Sequence, residues 1–365
     1  MKRYRALVCL MALAATCLIG AACTTTVQAR PAPDSLAPVM PPAPARPETV
    51  DLLSKFEYEP KETADYWKNR DLGEGSTRDT GIPDGEAPND ESTGLLALPT
   101  DGSIIGADKG VGLGDSDEGA PMPSGGLKTG TTGRLYMSES ASSSSYAVCS
   151  ATVVNSASHD ILATAAHCVW LTDTQAPLRN VMFVPGERDD GREAPYGRWY
   201  AAESFIRPEF EKNAFSDEDD GTVSGAGWAY DYAFIRLAPN DGKKIQDVVG
   251  AQGIAFGIPA ESLVVIGYPT APPFDGRSER YCSSTRWSRY SMGGYSIDCV
   301  MTAGSSGGGW FTRWDPERAA GYLVATTSTG DDVSMNAVVL GRSAYQLFEA
   351  AGAVSDGLFE AGGGL

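Results

Sequence analysis

The run Gly304-Ser305-Ser306-Gly307-Gly308-Gly309, inside the stretch from Cys299 to Trp310, has no explanation in side-chain packing. Glycines bury nothing, but beside a serine they let the backbone turn sharply and let another molecule approach the main chain. A nucleophilic serine needs both. If Ser306 attacks a carbonyl, its own amide and that of Gly304 can converge on the oxygen that becomes negative. A serine hydroxyl also needs a base, and the chain holds only two histidines. His167, in Thr164-Ala165-Ala166-His167-Cys168, directly follows an apolar run and has a cysteine beside it that can pin its loop. His159 stands next to Asp160 in a polar turn and reads as a surface residue. The acid that orients a catalytic imidazole has to be held away from bulk water. Asp231 meets that condition, placed between Tyr230 and the apolar run Tyr232-Ala233-Phe234-Ile235. Other acids lie in loops such as Ser216–Asp220, which offers the oxygen ligands that calcium takes but reads as a solvated loop. No metal and no cofactor is expected.

The elements that must position these residues begin at about Thr129. From there, short β-branched or aromatic runs alternate with turn-forming residues: Gly133–Ser138, Ala147–Asn155, His159–Ala163, Val181–Pro185, Trp199–Ile206, Tyr232–Leu237, Leu263–Tyr268, Ser283–Tyr290, Gly309–Arg313, Tyr322–Ser328 and Ala337–Gly341. Many short strands separated by turns predict an all-β sandwich or barrels rather than alternating β and α. Ala344, Leu347, Phe348 and Ala351 recur at helical spacing and predict a short C-terminal helix, followed by a loose tail over 352–365.

Upstream of Thr129 the texture is different. Lys2, Arg3 and Arg5 precede an apolar run from Ala6 to Ile19, which reads as an export signal over residues 1–29. Val27-Gln28-Ala29 suits ordinary signal cleavage, whereas Ile19-Gly20-Ala21-Ala22-Cys23 resembles a bacterial lipobox with Cys23 acylated, so both free secretion and a lipid anchor on the outer face of the membrane are carried forward. Residues 30–128 read as a largely disordered leader or linker. They comprise a Pro/Ala spacer to Pro47, a helical patch with Val50, Leu52, Leu53, Phe56, Tyr66 and Trp67 that could dock as a pro-segment would, and a Gly/Asp/Ser/Pro arm. A net charge of −18 argues against nucleic acid as a partner, because a phosphate backbone would be repelled. Four cysteines remain in the exported body, and an even number in an oxidising compartment implies disulfides. Of the three connectivities, the local pairs Cys149–Cys168 and Cys282–Cys299 are favoured, each closing a loop of roughly twenty residues.

TAAHC around His167, DYAFIRL from Asp231 and GSSGG around Ser306 resemble the three signatures of the chymotrypsin-like (trypsin-fold) serine proteases, and they stand in that family's chain order. CSATVVNS from Cys149, VIGYP from Val265 and the segment ending at the serine resemble its secreted bacterial branch, near the glutamyl endopeptidases. The resemblance covers about Thr129 to Ala351. It implies two six-stranded antiparallel β-barrels with a handover at about 239–260, and a cleft between them that takes polypeptide substrates. Ser306 would be the nucleophile, His167 the base and Asp231 its orienting acid, with Gly304 and Ser306 amides as the oxyanion hole. Ser328-Thr329-Gly330 falls where the family keeps the strand that pairs with substrate backbone.

Two departures bear on function. Ser305 replaces the aspartate that in many members receives a new N-terminus, so activation by that ion pair is not expected. Val300 stands where a trypsin-like enzyme carries the aspartate that selects basic residues, and no histidine follows Ser306, so an apolar or small side chain beside the scissile bond is expected. The leading reading is an exported, monomeric serine endopeptidase. Two rivals are a catalytically silent binding or adhesion module of the same fold, and an esterase using the same triad.

Overall fold

A computed structural model describes residues 53–352 apart from 71, 73–80, 82, 84–92, 104–108, 111, 190–191 and 218–221. The export signal, the lipobox at Cys23, the Pro/Ala spacer and nearly all of the expected tail lie outside these residues. Among the described residues no helix is long and apolar enough to cross a membrane.

The first half of the body is a closed barrel. Its strands are β4 (Thr132–Ser138), β5 (Ala147–Val153), β6 (Ile161–Thr164), β7 (Arg179–Pro185), β8 (Trp199–Ile206) and β9 (Ala233–Leu237). They pair antiparallel in the order β8-β9-β6-β5-β4-β7, and β7 returns to β8 through Phe183 opposite Trp199, which closes the ring. Inward residues such as Leu135, Val153, Leu162, Phe183 and Ile235 are fully buried and form its core.

The second half is built from β10 (Gly253–Phe256), β11 (Leu263–Gly267), β12 (Arg280–Ser284), β13 (Ser288–Arg289), β14 (Tyr295–Asp298), β15 (Gly309–Asp315), β16 (Ala320–Gly330) and β17 (Ser334–Val339). The order is β13-β14-β17-β16-β15-β11-β12, with β10 lying parallel to β16. Six of these strands, in the order β14-β17-β16-β15-β11-β12, are the expected second antiparallel six, and β10, β13 and two strands from upstream widen the sheet to ten. The outer edge of β12 is occupied as well. Helix α2 (Arg342–Ala350) buries Leu347 and Phe348 as expected, and the Phe348 ring meets Phe234 of β9 at 4.9 Å and Phe256 of β10 at 5.4 Å. Helix α2 therefore packs on one strand from each sheet.

What occupies the edge of β12 is the region read as a disordered leader. β1 (Ser54–Glu57) extends the first sheet along β8, β2 (Leu95–Ala97) pairs with β10, and β3 (Ser116–Pro121) pairs with β12. Between them, α1 (Pro60–Trp67) delivers Trp67 into full burial against Tyr136 and Tyr146, with ring centroids 5.7 and 5.3 Å away and its indole N–H donating to the Asn180 carbonyl at 2.7 Å. The expected leader is thus corrected, from residue 53 onward, to an arm whose described parts are built into both sheets. Composition failed here because β2 and β3 are held by backbone hydrogen bonds to existing edges, which need few apolar side chains. Trp67→Ala in the full chain should lower unfolding free energy by about 3–5 kcal/mol, the usual cost of emptying a buried aromatic site. Denaturant titration measures this, and a change below about 1 kcal/mol would mean that α1 is loosely attached.

Candidate active site

Register brings His167 and Asp231 together. β6 pairs with β9 so that Thr164 faces Ala233, which sets the residues just after β6 beside those just before β9. His167 lies three residues past Thr164 in the short helical turn Ala166–Cys168, and Asp231 two residues before Ala233 at the end of the turn Ala226–Tyr230. Asp231 is fully buried and accepts from three donors: its Oδ1 from the His167 amide at 2.9 Å, its Oδ2 from His167 Nδ1 at 2.8 Å and from Ser328 Oγ at 2.6 Å. With Nδ1 donating to the carboxylate, the other ring nitrogen carries the lone pair. That nitrogen, Nε2, is buried and makes no hydrogen bond among the described residues. Cys149 and Cys168 are disulfide-bonded, which ties the turn back to β5, and their sulfurs are unavailable to a metal although they lie near the imidazole. His159 is exposed on the surface with Nδ1 2.6 Å from Asp247 Oδ1, as its polar turn suggested.

Ser306 is presented by the loop before β15, and a residue of the other sheet fixes that loop. Ser150 on β5 donates its amide to the Ser306 carbonyl at 2.7 Å and its hydroxyl to the Gly304 carbonyl at 2.9 Å, while the same hydroxyl accepts the Tyr268 amide at 2.9 Å. The approach is close enough that a Cβ on Gly307 would lie 2.1 Å from Thr164 Oγ1. Gly304 has φ +96°, a conformation that suits glycine. With their carbonyls committed to Ser150, Gly304 and Ser306 keep amides that donate to no acceptor among the described residues. That arrangement suits an anionic oxygen. Ser150 and its clamp were missed in the sequence, although it stands in the CSATVVNS segment.

Strand β16 meets both halves of the site. Gly307 donates to the Thr327 carbonyl at 2.8 Å, and the next residue, Ser328, donates to Asp231. Thr327 faces Ala337 across the ladder and Thr329 faces Asn336, so Ser328 is the extra residue of a bulge. Ser328, Thr329 and Gly330 line a cavity of about 200 Å³ beside Ser306, together with Met301, Ala303 and Met335. Val300 does not line it. Its amide donates to the Asp117 carbonyl at 2.9 Å, and Met301 takes the place the sequence assigned to Val300. Ser305 is 1% exposed, with a hydroxyl that has no partner among the described residues. The second disulfide, Cys282–Cys299, is also as expected.

Two further groups, one bonded to a lining residue and one in the lining itself, were not legible. Burial, and secondarily the nearby Asp231 carboxylate, pushes the Tyr290 phenol up to about 12, and its oxygen accepts from Thr329 Oγ1 at 3.2 Å. The Val333 and Ser334 amides, which reach Asp331 Oδ1 at 2.9 and 2.7 Å, hold its carboxyl below its ordinary value.

No protein-family profile matches the chain, and no curated protein matches it. Solved structures do. Protease Anisep from Arthrobacter nicotinovorans is 28% identical over 63% of this chain and 97% of its own, with a TM-score of 0.53. The thermostable serine protease AL20 from an extremophilic microorganism is 28% identical over 63% of this chain and 100% of its own, with a TM-score of 0.50. The fold is that of the chymotrypsin-like serine proteases. These neighbours support a protease function for the chain.

Ser150→Ala removes one hydroxyl from a buried three-way contact and leaves the Gly304 carbonyl and the Tyr268 amide unpaired, at a cost of about 1–3 kcal/mol. Because the loop it holds carries the serine, turnover should fall by about tenfold or more, read as kcat/KM on a peptide substrate. The Asp331 turn gives a second expectation. A carboxyl held low in the folded state adds stability above its unfolded value of about 3.9, and that stability is lost as pH falls through the folded value. The Tm advantage of the parent over Asp331→Asn should therefore be constant near neutrality and shrink below about pH 4.

Proposed function

We propose that the chain is an exported serine endopeptidase in which Ser306, His167 and Asp231 act as a triad. The observation that carries this reading is the imidazole of His167, whose Nδ1 is committed to a fully buried carboxylate while Nε2 is left without a partner. In the proposed reaction Ser306 Oγ bonds to the carbonyl carbon of the scissile peptide and its proton passes to Nε2. The carbonyl oxygen takes the negative charge and is met by the amides of Gly304 and Ser306. Collapse breaks the C–N bond, the leaving amine takes the proton from His167, and an acyl-serine remains. Water then attacks that ester with His167 again accepting the proton, the C–Oγ bond breaks as Ser306 takes that proton back from His167, and the acid product leaves. Asp231 holds the ring in one tautomer and faces the imidazolium when it forms.

The substrate side chain next to the scissile bond would enter the cavity lined by Met301, Ala303 and Met335. That lining contains no Lys, Arg or His to pair a carboxylate, and its acids are Asp331, engaged by turn amides, and the exposed Asp332. The side chains of Met301, Ala303 and Met335 favour an apolar side chain. Substrate backbone would add to the edge of β16 at Ser328–Gly330. Export is supported by the basic and apolar start of the chain, and the two disulfides are consistent with an oxidising compartment.

Labelling by a fluorophosphonate should occur on the full chain and disappear in Ser306→Ala, with peptide turnover falling by about 10⁴-fold or more. A peptide-library digest should show cleavage after apolar residues at least about tenfold over Glu or Lys. No labelling would favour a silent binding module, and ester turnover without any peptide cleavage would favour an esterase; either result rejects the endopeptidase reading.

A further inference from the structure

The arm strand β3 reaches the wall of the cavity beside Ser306. It runs antiparallel to β12 with Ser116 opposite Ser283 and Ala120 opposite Tyr281, so that Asp117, Glu118 and Gly119 stand against Cys282 alone. Cys282 is the residue disulfide-bonded to Cys299. The bulge therefore lies over the disulfide. Its Asp117 carbonyl turns out of the ladder to accept the amide of Val300, the residue after Cys299, at 2.9 Å. At the other end of the bulge Gly119 has φ +68°, and a Cβ there would lie 2.7 Å from Phe274 Cζ and 3.1 Å from Met301 Cγ. Met301 lines the cavity. Both flanks of the bulge are fastened: the Gly114 carbonyl accepts from Ser283 Oγ at 2.8 Å, the Met122 amide donates to the Glu279 carbonyl at 3.1 Å, and the buried Lys128 ammonium pairs with Glu279 at 2.7 Å.

From this geometry we propose that the 117–119 bulge is a positioning element of the substrate site. It holds the backbone at Val300 and closes one side of Met301, so that the cavity keeps the shape that receives the side chain beside the scissile bond. The arm is then a working part of the protease, and its loss would weaken selection rather than release activity. The physical reason is local. Between Cys299 and Ser306 the chain is irregular, and irregular backbone keeps one shape only where neighbours fix it. Cys282–Cys299 fixes its start and Ser150 its end; β3 fixes the residues beside the start. Bulges commonly re-aim a group beside a functional site, and here the group is a main-chain carbonyl. The proposal rests on the reading of Ser306 as nucleophile.

The test uses the full chain and four proteins: the parent, Gly119→Ala, Met301→Ala and the double variant. Each is assayed on peptide amides that differ only in Leu or Ala before the scissile bond, at a temperature where circular dichroism shows all four folded. Gly119→Ala should lower kcat/KM for the Leu substrate by about tenfold and shift the Leu:Ala ratio several-fold, and this loss should shrink to about twofold or less when Met301 is already Ala, since neighbours that act through one contact are not additive. Equal losses on both substrates and in both backgrounds would overturn the proposal, because a strand that only stabilises the fold changes neither ratio. A parent that neither takes a fluorophosphonate nor cleaves any peptide would instead remove the nucleophile reading, and this proposal with it. If Gly119→Ala does not fold, hydrogen exchange of the parent decides: the Val300 amide should be protected, and fluorophosphonate on Ser306 should slow exchange over 116–121 further, as reciprocal coupling requires. Identical exchange in that segment with and without the label would overturn it.

Discussion

The position of Ser306 depends on a serine of the opposite sheet. Ser150 fixes two carbonyls of the loop that carries Ser306 and takes the Tyr268 amide with the same hydroxyl. The consequence is larger than three hydrogen bonds. The same loop leaves the amides of Gly304 and Ser306 without an acceptor among the described residues, and free amide donors are what a developing oxyanion requires. Thr164, whose hydroxyl donates to the Ser150 carbonyl at 2.9 Å, sits at the end of β6, three residues before His167. The support of the serine and the support of the histidine are therefore the same few residues of β5 and β6. Changes there act on both at once.

The arm shows a different economy. Its β2 and β3 contribute little apolar burial, yet each satisfies an edge that would otherwise expose a row of unpaired backbone groups. The edge of β12 is covered by β3 and that of β10 by β2. Tyr58, Trp67 and Leu72 anchor the arm to the first barrel by burial, and Trp67 does so also by its indole N–H. A domain that keeps its sheet edges covered by its own upstream chain has less exposed template for pairing with other molecules.

The barrel strands, the pairing of His167 with Asp231, the glycine-rich loop at Ser306 and the disulfide pairs were legible because each rests on a local pattern: apolar alternation, a histidine beside a cysteine after a strand, an acid before one, and glycines around a serine. What was not legible depends on backbone partners that side-chain patterns do not report. β3 is the run Ser-Asp-Glu-Gly-Ala-Pro, which composition assigns to a loop, and it is a strand only because β12 offers an edge. Val300 was placed at the cavity by counting back from Ser306. Met301 stands there instead, with the Val300 amide bonded to Asp117, a partner far away in sequence.

Bulges occur at both places where a strand stops pairing regularly in order to serve the site. In β16 the extra residue is Ser328, and with Thr327 still in register against Ala337 its hydroxyl reaches Asp231 rather than continuing the ladder. A regular strand could not do this. Side chains alternate faces with period two, so a one-residue slip without a bulge would carry the residues beyond it to the wrong face. The bulge confines the slip to Ser328 and leaves Gly330 in register opposite Met335, another lining residue of the cavity. The bulge in β3 applies the same geometry to a carbonyl, giving up pairing against Cys282 to meet Val300. Both irregularities are compatible with the fold because their flanks are pinned, by β17 in one case and by Ser283 and Glu279 in the other. These two departures from regular pairing therefore place a hydroxyl and a carbonyl that uninterrupted ladders would hold elsewhere.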